Sequence, residues 1–204
     1  FDYYILSSEE QNCDLNFANI FCWSATYHSE VAEAEDFLVI RFDNGGAKSY
    51  MQPVGSGDKG EILELLRRDA FEQRTPLRLY GLSHEWRTFL EENYPEEFAF
   101  DTPRALCDYI YRVDDLAQLP GRKYQPKRNH LNRFVARYKW HAEPLSRANI
   151  KDCLALNDKW LANREVGDME RAEQQTLRCA FENFEALGLR GIVLYADGVP
   201  AAFS

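Results

Sequence analysis

The first part of the chain combines helical and strand patterns of hydrophobic residues. Apolar residues over 15–25 recur at helical spacing, and we expect Asp14 to cap that helix. The run 37–42 is rich in β-branched and aromatic residues, and the Asp-Asn-Gly-Gly sequence at 43–46 predicts a hairpin. Its second strand should cover 47–51. The pattern therefore predicts a helix followed by an antiparallel sheet.

A loop with two glycines follows the second strand directly. It spans 52–57 and precedes a predicted helix over 59–73, for which Asp58 is a suitable cap. A strand, a glycine loop and a helix in this order let backbone N–H groups approach a phosphate. An ordinary turn before a helix is the alternative. The candidate cofactor-binding residues are Gln52, Gly55 and Gly57, and we expect one of the two glycines to adopt a conformation that other residues avoid.

Further elements complete the first part. We expect a strand over 77–80, a helix from the cap Ser83 to Asn93, and two more strands over 98–100 and 107–111. Helices and a mainly antiparallel sheet would then share one layered unit.

A similar order begins again near the middle of the chain. We expect a strand over 140–144, then a helix that Ser146 caps and that runs through Trp160. A second helix should cover 170–187 and end at Gly188. The predicted strands that follow cover 192–195 and 199–204, with a turn at Asp197-Gly198 between them.

Between these parts lies a segment whose charges all have one sign. The whole chain has 33 acidic and 24 basic residues, yet the stretch 122–139 contains no Asp or Glu. Its cations are Arg122, Lys123, Lys127, Arg128, Arg133, Arg137 and Lys139. Pro126 suits the first turn of a helix. An apolar stripe of Leu131, Phe134, Val135 and Tyr138 is expected to face a core.

Three interpretations of this basic segment remain open at this level. A cluster of like charges attracts an anion, and the candidate substrate- or anion-binding residues are Lys127, Arg128, Asn129, His130, Asn132 and Arg133. We expect this set to border a cleft between two domains. Alternatively, the segment is a structural strap whose cations pair with acidic side chains such as Asp108, Asp114 or Asp115, or it is a solvated helix face.

The composition narrows the class of protein. With 204 residues, 45% of them hydrophobic, the chain can bury one large core or two small ones. A net charge of −9 argues against general DNA binding. The chain has no apolar run long enough to span a bilayer and no start typical of a signal peptide, so a cytoplasmic location is expected. Five cysteines and four histidines show no metal-ligand spacing, and we expect no metal site.

The sequence LPGRKYQPKRNHLNRF at 119–134 resembles the signature of a bacterial family of unassigned function. That family is related to the C-terminal domain of phosphatidylglycerol lysyltransferase, and the segment 14–23 resembles its amino-terminal part. The resemblance implies an α/β (α+β) protein with two GNAT-like (acyl-CoA N-acyltransferase) domains in tandem and mainly antiparallel sheets. It implies a first domain over 1–118, a basic linker helix over 119–139, and the first part of an incomplete second domain over 140–204.

The resemblance also implies an activity. It suggests an acyl- or aminoacyl-transferase that uses an acyl-coenzyme A thioester or an aminoacyl-tRNA as donor and an amine or hydroxyl as acceptor, with no covalently bound cofactor. Such transfer needs no covalent nucleophile, in agreement with the lack of a G-x-S-x-G motif. The sequence does not identify a catalytic residue. The alternatives are a non-catalytic binding or scaffold protein with the basic helix as an interdomain strap, and, more weakly, peripheral membrane contact.

Overall fold

Two separate sheets divide the elements of the chain between them. The computed structural model describes residues 1–8, 10 and 12–204. Within it the chain forms two compact units, Phe1–Leu106 and Cys107–Ser204. Each unit contains one of the sheets. The assignment of 1–118 and 140–204 as two domains joined by 119–139 stays a prediction.

The first unit contains four helices and five strands among its described residues, with a short 3₁₀ turn at the end. Its elements are α1 (Asp2–Ser7), α2 (Phe17–Tyr27), β1 (Glu30–Ala34), β2 (Phe37–Asn44), β3 (Ala47–Met51), β4 (Val54–Gly55), α3 (Lys59–Glu72), β5 (Leu79–Tyr80), α4 (His84–Asn93) and the turn Arg104–Leu106. The strand order is β1-β2-β3-β5, and β4 also pairs with β2. The β3–β5 pair is parallel and the other pairs are antiparallel.

The predicted β2–β3 hairpin is confirmed. Asn44 pairs with Ala47 across a two-residue turn, and Gly45 and Gly46 in that turn have φ values of 61° and 82°. Such values suit the primed turns that match the twist of a hairpin. Strand β1 was not predicted, because its sequence Glu-Val-Ala-Glu-Ala lacks both an apolar run and β-formers beyond one valine.

Strand β2 is buried on both faces of the sheet. Its consecutive residues Phe37, Leu38, Val39 and Ile40 are all buried. Because successive side chains of a strand point to opposite faces, Phe37 and Val39 join a cluster with Ile62 of α3. Leu38 and Ile40 join a second cluster on the other face. Two hydrophobic cores therefore share this one strand.

The helix caps of the first unit are partly as predicted. Asp58 accepts hydrogen bonds from the N–H groups of Gly60 and Glu61 at 2.7 and 3.0 Å, and Ser83 caps α4 through the N–H of Trp86. The prediction of Asp14 as the cap of α2 is wrong. The cap is Asn16.

The sequence could not easily separate these two cap candidates. Asn16 Oδ1 accepts from the N–H groups of Ala18 and Asn19 at 2.9 and 3.3 Å. Asp14 accepts instead from the side-chain amide of Asn19 at 3.1 Å. Both residue types make good caps, and they lie only two positions apart.

Two predicted strands are absent from the described structure. Residues 98–100 and 107–111 have no strand assignment. The aromatic rings of the first segment lie against guanidinium groups instead, with Arg67 5.4 Å from the ring centre of Phe98 and Arg87 5.0 Å from that of Phe100. The rings of a short aromatic run can pack against cations as well as against the other residues of a sheet.

The glycine loop is part of the sheet. Val54 and Gly55 form β4, which pairs with Leu38 and Phe37 of β2. Neither Gly55 nor Gly57 has a positive φ, so the predicted special backbone conformation is wrong. The glycines are needed because their backbone approaches a neighbouring turn closely. A Cβ on Gly55 would overlap the carbonyl oxygen of Asp36, and one on Gly57 would overlap that of Glu35.

The second unit contains a smaller antiparallel sheet. Its elements are α5 (Val113–Gln118), a 3₁₀ turn (Arg122–Tyr124), α6 (Gln125–Arg137), β6 (Trp140–Pro144), α7 (Ile150–Leu161), α8 (Asp168–Glu182), β7 (Ile192–Ala196) and β8 (Val199–Phe203). The strand order is β6-β7-β8, and both pairs are antiparallel. A small core of Cys153, Val193 and Tyr195 lies against this sheet.

Several boundaries in the second unit differ from the predictions. Ser146 does not cap α7; Asn149 precedes that helix, and its side chain accepts from the N–H of Ser146 at 2.8 Å and donates to Pro144 at 3.0 Å. Ser146 thus belongs to a turn that Asn149 closes. Helix α8 ends at Glu182, before the predicted Gly188. The predicted turn at Asp197-Gly198 is confirmed, with φ values of 52° and 78°.

We expect Asn16→Ala to destabilise the first unit by about 1 kcal/mol, because two N–H groups of α2 would lose their acceptor. Urea unfolding followed by circular dichroism measures this free energy. Asp14→Ala is the matched control and should cost less, since Asp14 accepts from the side chains of Asn19 and Cys13 and not from a helix N–H group. Equal losses in the two variants would contradict the assignment of the cap.

We expect Gly57→Ala to cost roughly 1–3 kcal/mol of unfolding free energy, because the new methyl group would force the loop away from Glu35. The same urea experiment applies. Gly60→Ala serves as the control. Gly60 lies in the first turn of α3, and a Cβ there would meet side-chain atoms of Asp58 and Tyr94 at 3.1 and 3.5 Å rather than a backbone carbonyl at 2.0 Å. A Gly57→Ala variant as stable as the parent protein would disprove the close approach.

Candidate functional site

The basic segment forms helix α6, as predicted. The helix runs from Gln125 to Arg137 with Pro126 in its first turn. Tyr124 precedes it and provides no side-chain cap, and the first turn contains no acidic residue. The positive end of the helix dipole is therefore not neutralised by a side chain of its own first turn.

Arg128, predicted as an anion-binding residue, makes internal contacts. Its Nη1 donates to the carbonyl oxygen of Gly121 at 2.7 Å and also to that of Leu119. Both acceptors lie in a tight turn with positive φ, 75° at Gly121 and 47° at Leu119. The guanidinium group therefore holds the turn that connects α5 to α6, and Arg128 is half-buried. Its geometry supports the alternative interpretation of a structural strap.

A second internal contact involves Asp115, one of the acidic residues considered as strap partners. Lys123 Nζ lies 3.3 Å from Asp115 Oδ2, and the hydroxyl of Tyr124 donates to the same oxygen at 3.4 Å. The hydrogen bond with Asp115 raises the pKa of Lys123 above its ordinary value. Two of the seven cations of the segment, Lys123 and Arg128, thus make contacts within the protein.

The other candidate anion-binding residues face solvent. The side chains of Lys127, Asn129, His130, Asn132 and Arg133 are exposed. Within residues 1–8, 10 and 12–204, none of these five side chains has a hydrogen bond or an ion pair. Lys127, His130 and Arg133 follow each other at intervals of three residues, which places them on one side of the helix. This side of α6 is able to contact an anion.

The predicted apolar stripe of α6 is only half correct. Phe134 and Tyr138 are half-buried, and their ring centres lie 5.2 Å apart. Leu131 and Val135 remain 52% and 47% exposed, so they do not face a core in the described structure. The helix packs mainly against the 3₁₀ turn that precedes it rather than against a sheet. Helical spacing indicates a shared face but does not identify what covers it.

The candidate cofactor-binding residues have structural roles. Gln52 is 1% exposed; its Oε1 accepts from the N–H of Ser83 at 2.5 Å, and its Nε2 donates to Glu10. The start of α3 already has an anionic partner in the carboxylate of Asp58. Gly55 and Gly57 lie against the backbone of Asp36 and Glu35. Binding of coenzyme A by this loop stays a prediction to which these contacts add no support.

A polar cluster that the sequence analysis missed borders a shallow groove of about 350 Å³ beside β1. Arg41 donates to the two carboxylate oxygens of Asp69 at 2.8 and 2.7 Å and to Glu30 at 2.9 Å. The hydroxyl of Tyr50 donates to Asp69 at 2.5 Å. Burial acts to raise the pKa of Asp69, but the hydrogen bonds from Tyr50 and Arg41 outweigh it and lower that pKa. The four groups satisfy one another, as in a structural ion-pair network.

Residues 1–8, 10 and 12–204 contain no group of three or more side chains arranged to hold a metal ion. In the same residues, no helix combines the length and the apolar character that crossing a bilayer requires.

Comparisons with known proteins agree with the resemblance seen at 119–134. A solved structure of a conserved protein of unknown function from Bacteroides thetaiotaomicron is 38% identical, with a TM-score of 0.92. The match covers 98% of this chain and 69% of that one. The mixed α+β fold with mainly antiparallel sheets is therefore shared with that protein. No curated protein matches the chain.

Two more distant structures are also similar. One is the C-terminal domain of a predicted lysylphosphatidylglycerol synthetase from Agrobacterium fabrum, 18% identical with a TM-score of 0.49, covering 89% of this chain and 56% of that one. The other is L-PGS from Bacillus licheniformis, 14% identical with a TM-score of 0.48, covering 96% and 64%.

The family described as "Phosphatidylglycerol lysyltransferase, C-terminal" matches residues 7–204, which is nearly the whole chain. The chain therefore belongs to the family of phosphatidylglycerol lysyltransferase C-terminal domains.

Proposed function

We propose that the chain is part of an aminoacyltransferase that moves an aminoacyl group from an aminoacyl-tRNA to a hydroxyl group of its acceptor. The family name refers to lysyl transfer to phosphatidylglycerol. We further propose that the two units correspond to GNAT-like domains in tandem, as the resemblance implies. The mainly antiparallel sheet of each unit supports this proposal.

The exposed cationic side of α6 is the observation that carries the proposal. Among the residues that the structure describes, Lys127 and Arg133 have no internal hydrogen-bond or ion-pair partner, and they lie on this helix in a protein whose net charge is −9. A local positive surface on an acidic protein attracts an anion to that place alone. The phosphates of a tRNA donor fit this surface, with His130, Asn129 and Asn132 as additional hydrogen-bonding groups.

The contacts of the loop 52–57 in the first unit bear on the choice between an acyl-coenzyme A donor and an aminoacyl-tRNA donor. A coenzyme A donor would need the loop 52–57 or a similar nest of free amides for its pyrophosphate. In this loop Gln52 is buried, and the amides at the start of α3 already bind Asp58. These contacts favour tRNA as the donor over coenzyme A.

The chemistry of this transfer depends on positioning. The aminoacyl ester of a tRNA is activated, so the enzyme needs to orient the acceptor hydroxyl, remove its proton and stabilise the developing oxyanion. A covalent intermediate on the protein is not required. An exposed cationic helix contributes to positioning, since it fixes the donor by its phosphates.

A non-catalytic scaffold is the second candidate. Arg128 and Lys123 favour it, because their contacts are internal and shape the connection between α5 and α6. The two candidates differ in the role of the remaining cations, which a scaffold would not need for ligand binding.

We expect the double variant Lys127→Glu/Arg133→Glu to bind labelled aminoacyl-tRNA at least about tenfold more weakly, because two phosphate contacts are replaced by repulsion. Fluorescence anisotropy at several salt concentrations measures the dissociation constant. The slope of log K against log[salt] should become shallower by roughly 1.5 to 2. The melting temperature should stay unchanged, since both side chains are exposed.

The matched control is Lys151→Glu/Arg190→Glu, which changes the net charge equally at exposed positions away from α6. This control should keep most of its affinity. If both double variants lose tRNA affinity equally, the loss is caused by the change in net charge, and a site on α6 is contradicted. Unchanged affinity in the Lys127/Arg133 variant would favour the scaffold.

Replacement of Arg128 should affect stability more than replacement of the adjacent Lys127. We expect Arg128→Ala to lower the unfolding free energy by roughly 1–3 kcal/mol, because two carbonyl oxygens in the turn before α6 lose a charged donor. Lys127→Ala should leave it nearly unchanged. Thermal unfolding of the two variants makes the comparison, and equal stabilities would refute the internal role of Arg128.

A further inference from the structure

A cluster of four titratable side chains joins three elements of the second unit. His141 and Glu143 lie on β6, Tyr195 on β7 and Asp152 on α7. His141 and Glu143 are two residues apart on a strand, so they share one face of the sheet. The register pairs His141 with Tyr195 directly. None of these residues belongs to the basic helix described above.

The imidazole of His141 is held from two directions. Its Nε2 lies 3.2 Å from Glu143 Oε1. Its ring also stacks on that of Tyr195, with the ring centres 5.0 Å apart and the planes 7° from parallel. One contact fixes a ring nitrogen and the other fixes the ring plane. The side chain is nevertheless 54% exposed, so solvent and ligands can reach it.

The ring that supports His141 is itself fixed. Tyr195 is 9% exposed, and its hydroxyl donates to Asp152 Oδ2 at 2.9 Å. This hydrogen bond and burial raise the pKa of Tyr195 to about 12. The phenol therefore stays neutral near pH 7, and it offers the imidazole a rigid, uncharged surface.

Another histidine of the chain provides a useful contrast. His28 Nδ1 lies 3.0 Å from Asp43 Oδ2, but Asp43 also pairs with Lys48 at 2.8 Å. The hydrogen bond from Lys48 lowers the pKa of Asp43. In the described residues Glu143 has no such cation beside it, so its carboxylate is available to orient His141. A base whose second nitrogen is held by a carboxylate is the arrangement that general-base catalysis uses.

We propose that His141 is the general base of the transfer reaction and that Glu143 and Tyr195 position its ring. The inference rests on the proposed function. Nε2–H donates to Glu143, which leaves the lone pair of Nδ1 to take the proton from the acceptor hydroxyl. The acceptor oxygen then forms a bond to the carbonyl carbon of the aminoacyl ester. The bond from that carbon to the ribose oxygen of the tRNA breaks, and the imidazolium returns its proton to this leaving oxygen.

The test uses the protein with aminoacyl-tRNA and a hydroxyl acceptor. We expect His141→Ala and His141→Gln to lower kcat by about 10²- to 10⁴-fold, the usual contribution of a general base. Their affinity for aminoacyl-tRNA should stay within about twofold of the parent value, because His141 is not on α6. Added imidazole should restore part of the activity of His141→Ala, since it can occupy the space of the missing ring. Glu143→Gln should lower kcat less and should not respond to imidazole.

His28→Ala is the matched control, because it removes another exposed histidine that contacts a carboxylate. It should keep its activity. Transfer by the parent protein together with full activity of His141→Gln would overturn this inference and leave the proposed function intact. Loss of activity without rescue by imidazole would also overturn it, because a structural role gives that result. An inactive parent protein would defeat both proposals.

Discussion

The first unit depends on the burial of β2 from both sides. Four consecutive residues, 37–40, supply side chains to two cores on opposite faces of one sheet. A shift of one residue in this strand would exchange the two sets of side chains, so its register is strongly fixed. The adjoining loop is fixed with it. Gly55 and Gly57 lie against the backbone of the turn that precedes β2, and the shape of the loop therefore depends on the sheet.

In the basic segment, the same residue types serve two purposes. Arg128 donates to two backbone carbonyl oxygens, and Lys123 pairs with the carboxylate of Asp115. The fold gains a stable turn from these contacts. Because the carbonyl acceptors carry no formal charge and Asp115 is one anion against seven cations, the segment keeps a net positive charge after its internal partners are counted. A structural strap and an anion-binding surface are therefore compatible in one helix.

Sequence patterns predicted elements whose chemistry is local. The β2–β3 hairpin, helix α6 and the caps Asp58 and Ser83 depend on residues that are close in sequence. Interactions between distant residues were not predictable. Strand β1 is held in the sheet by β2 despite its weak propensity. The glycines of the loop are required by a turn about 20 residues earlier. His141 contacts Glu143 of its own strand and Tyr195 of β7, and Tyr195 is in turn held by Asp152 of α7.

The joint between α6 and β6 connects the two proposed parts of the site. His141 follows Arg137 by four residues, so their Cα atoms lie at most roughly 14 Å apart. Lys139 lies within this joint; its N–H donates to Asp197 Oδ1 at 2.9 Å, and its carbonyl accepts from the N–H of Asp197 at 2.8 Å. The joint is thus attached to the β7–β8 turn by two hydrogen bonds. Positioning of reactants requires the groups that hold them to stay at fixed distances. A fixed joint of this length therefore fits the proposal that the helix binds the donor while His141 meets the acceptor hydroxyl.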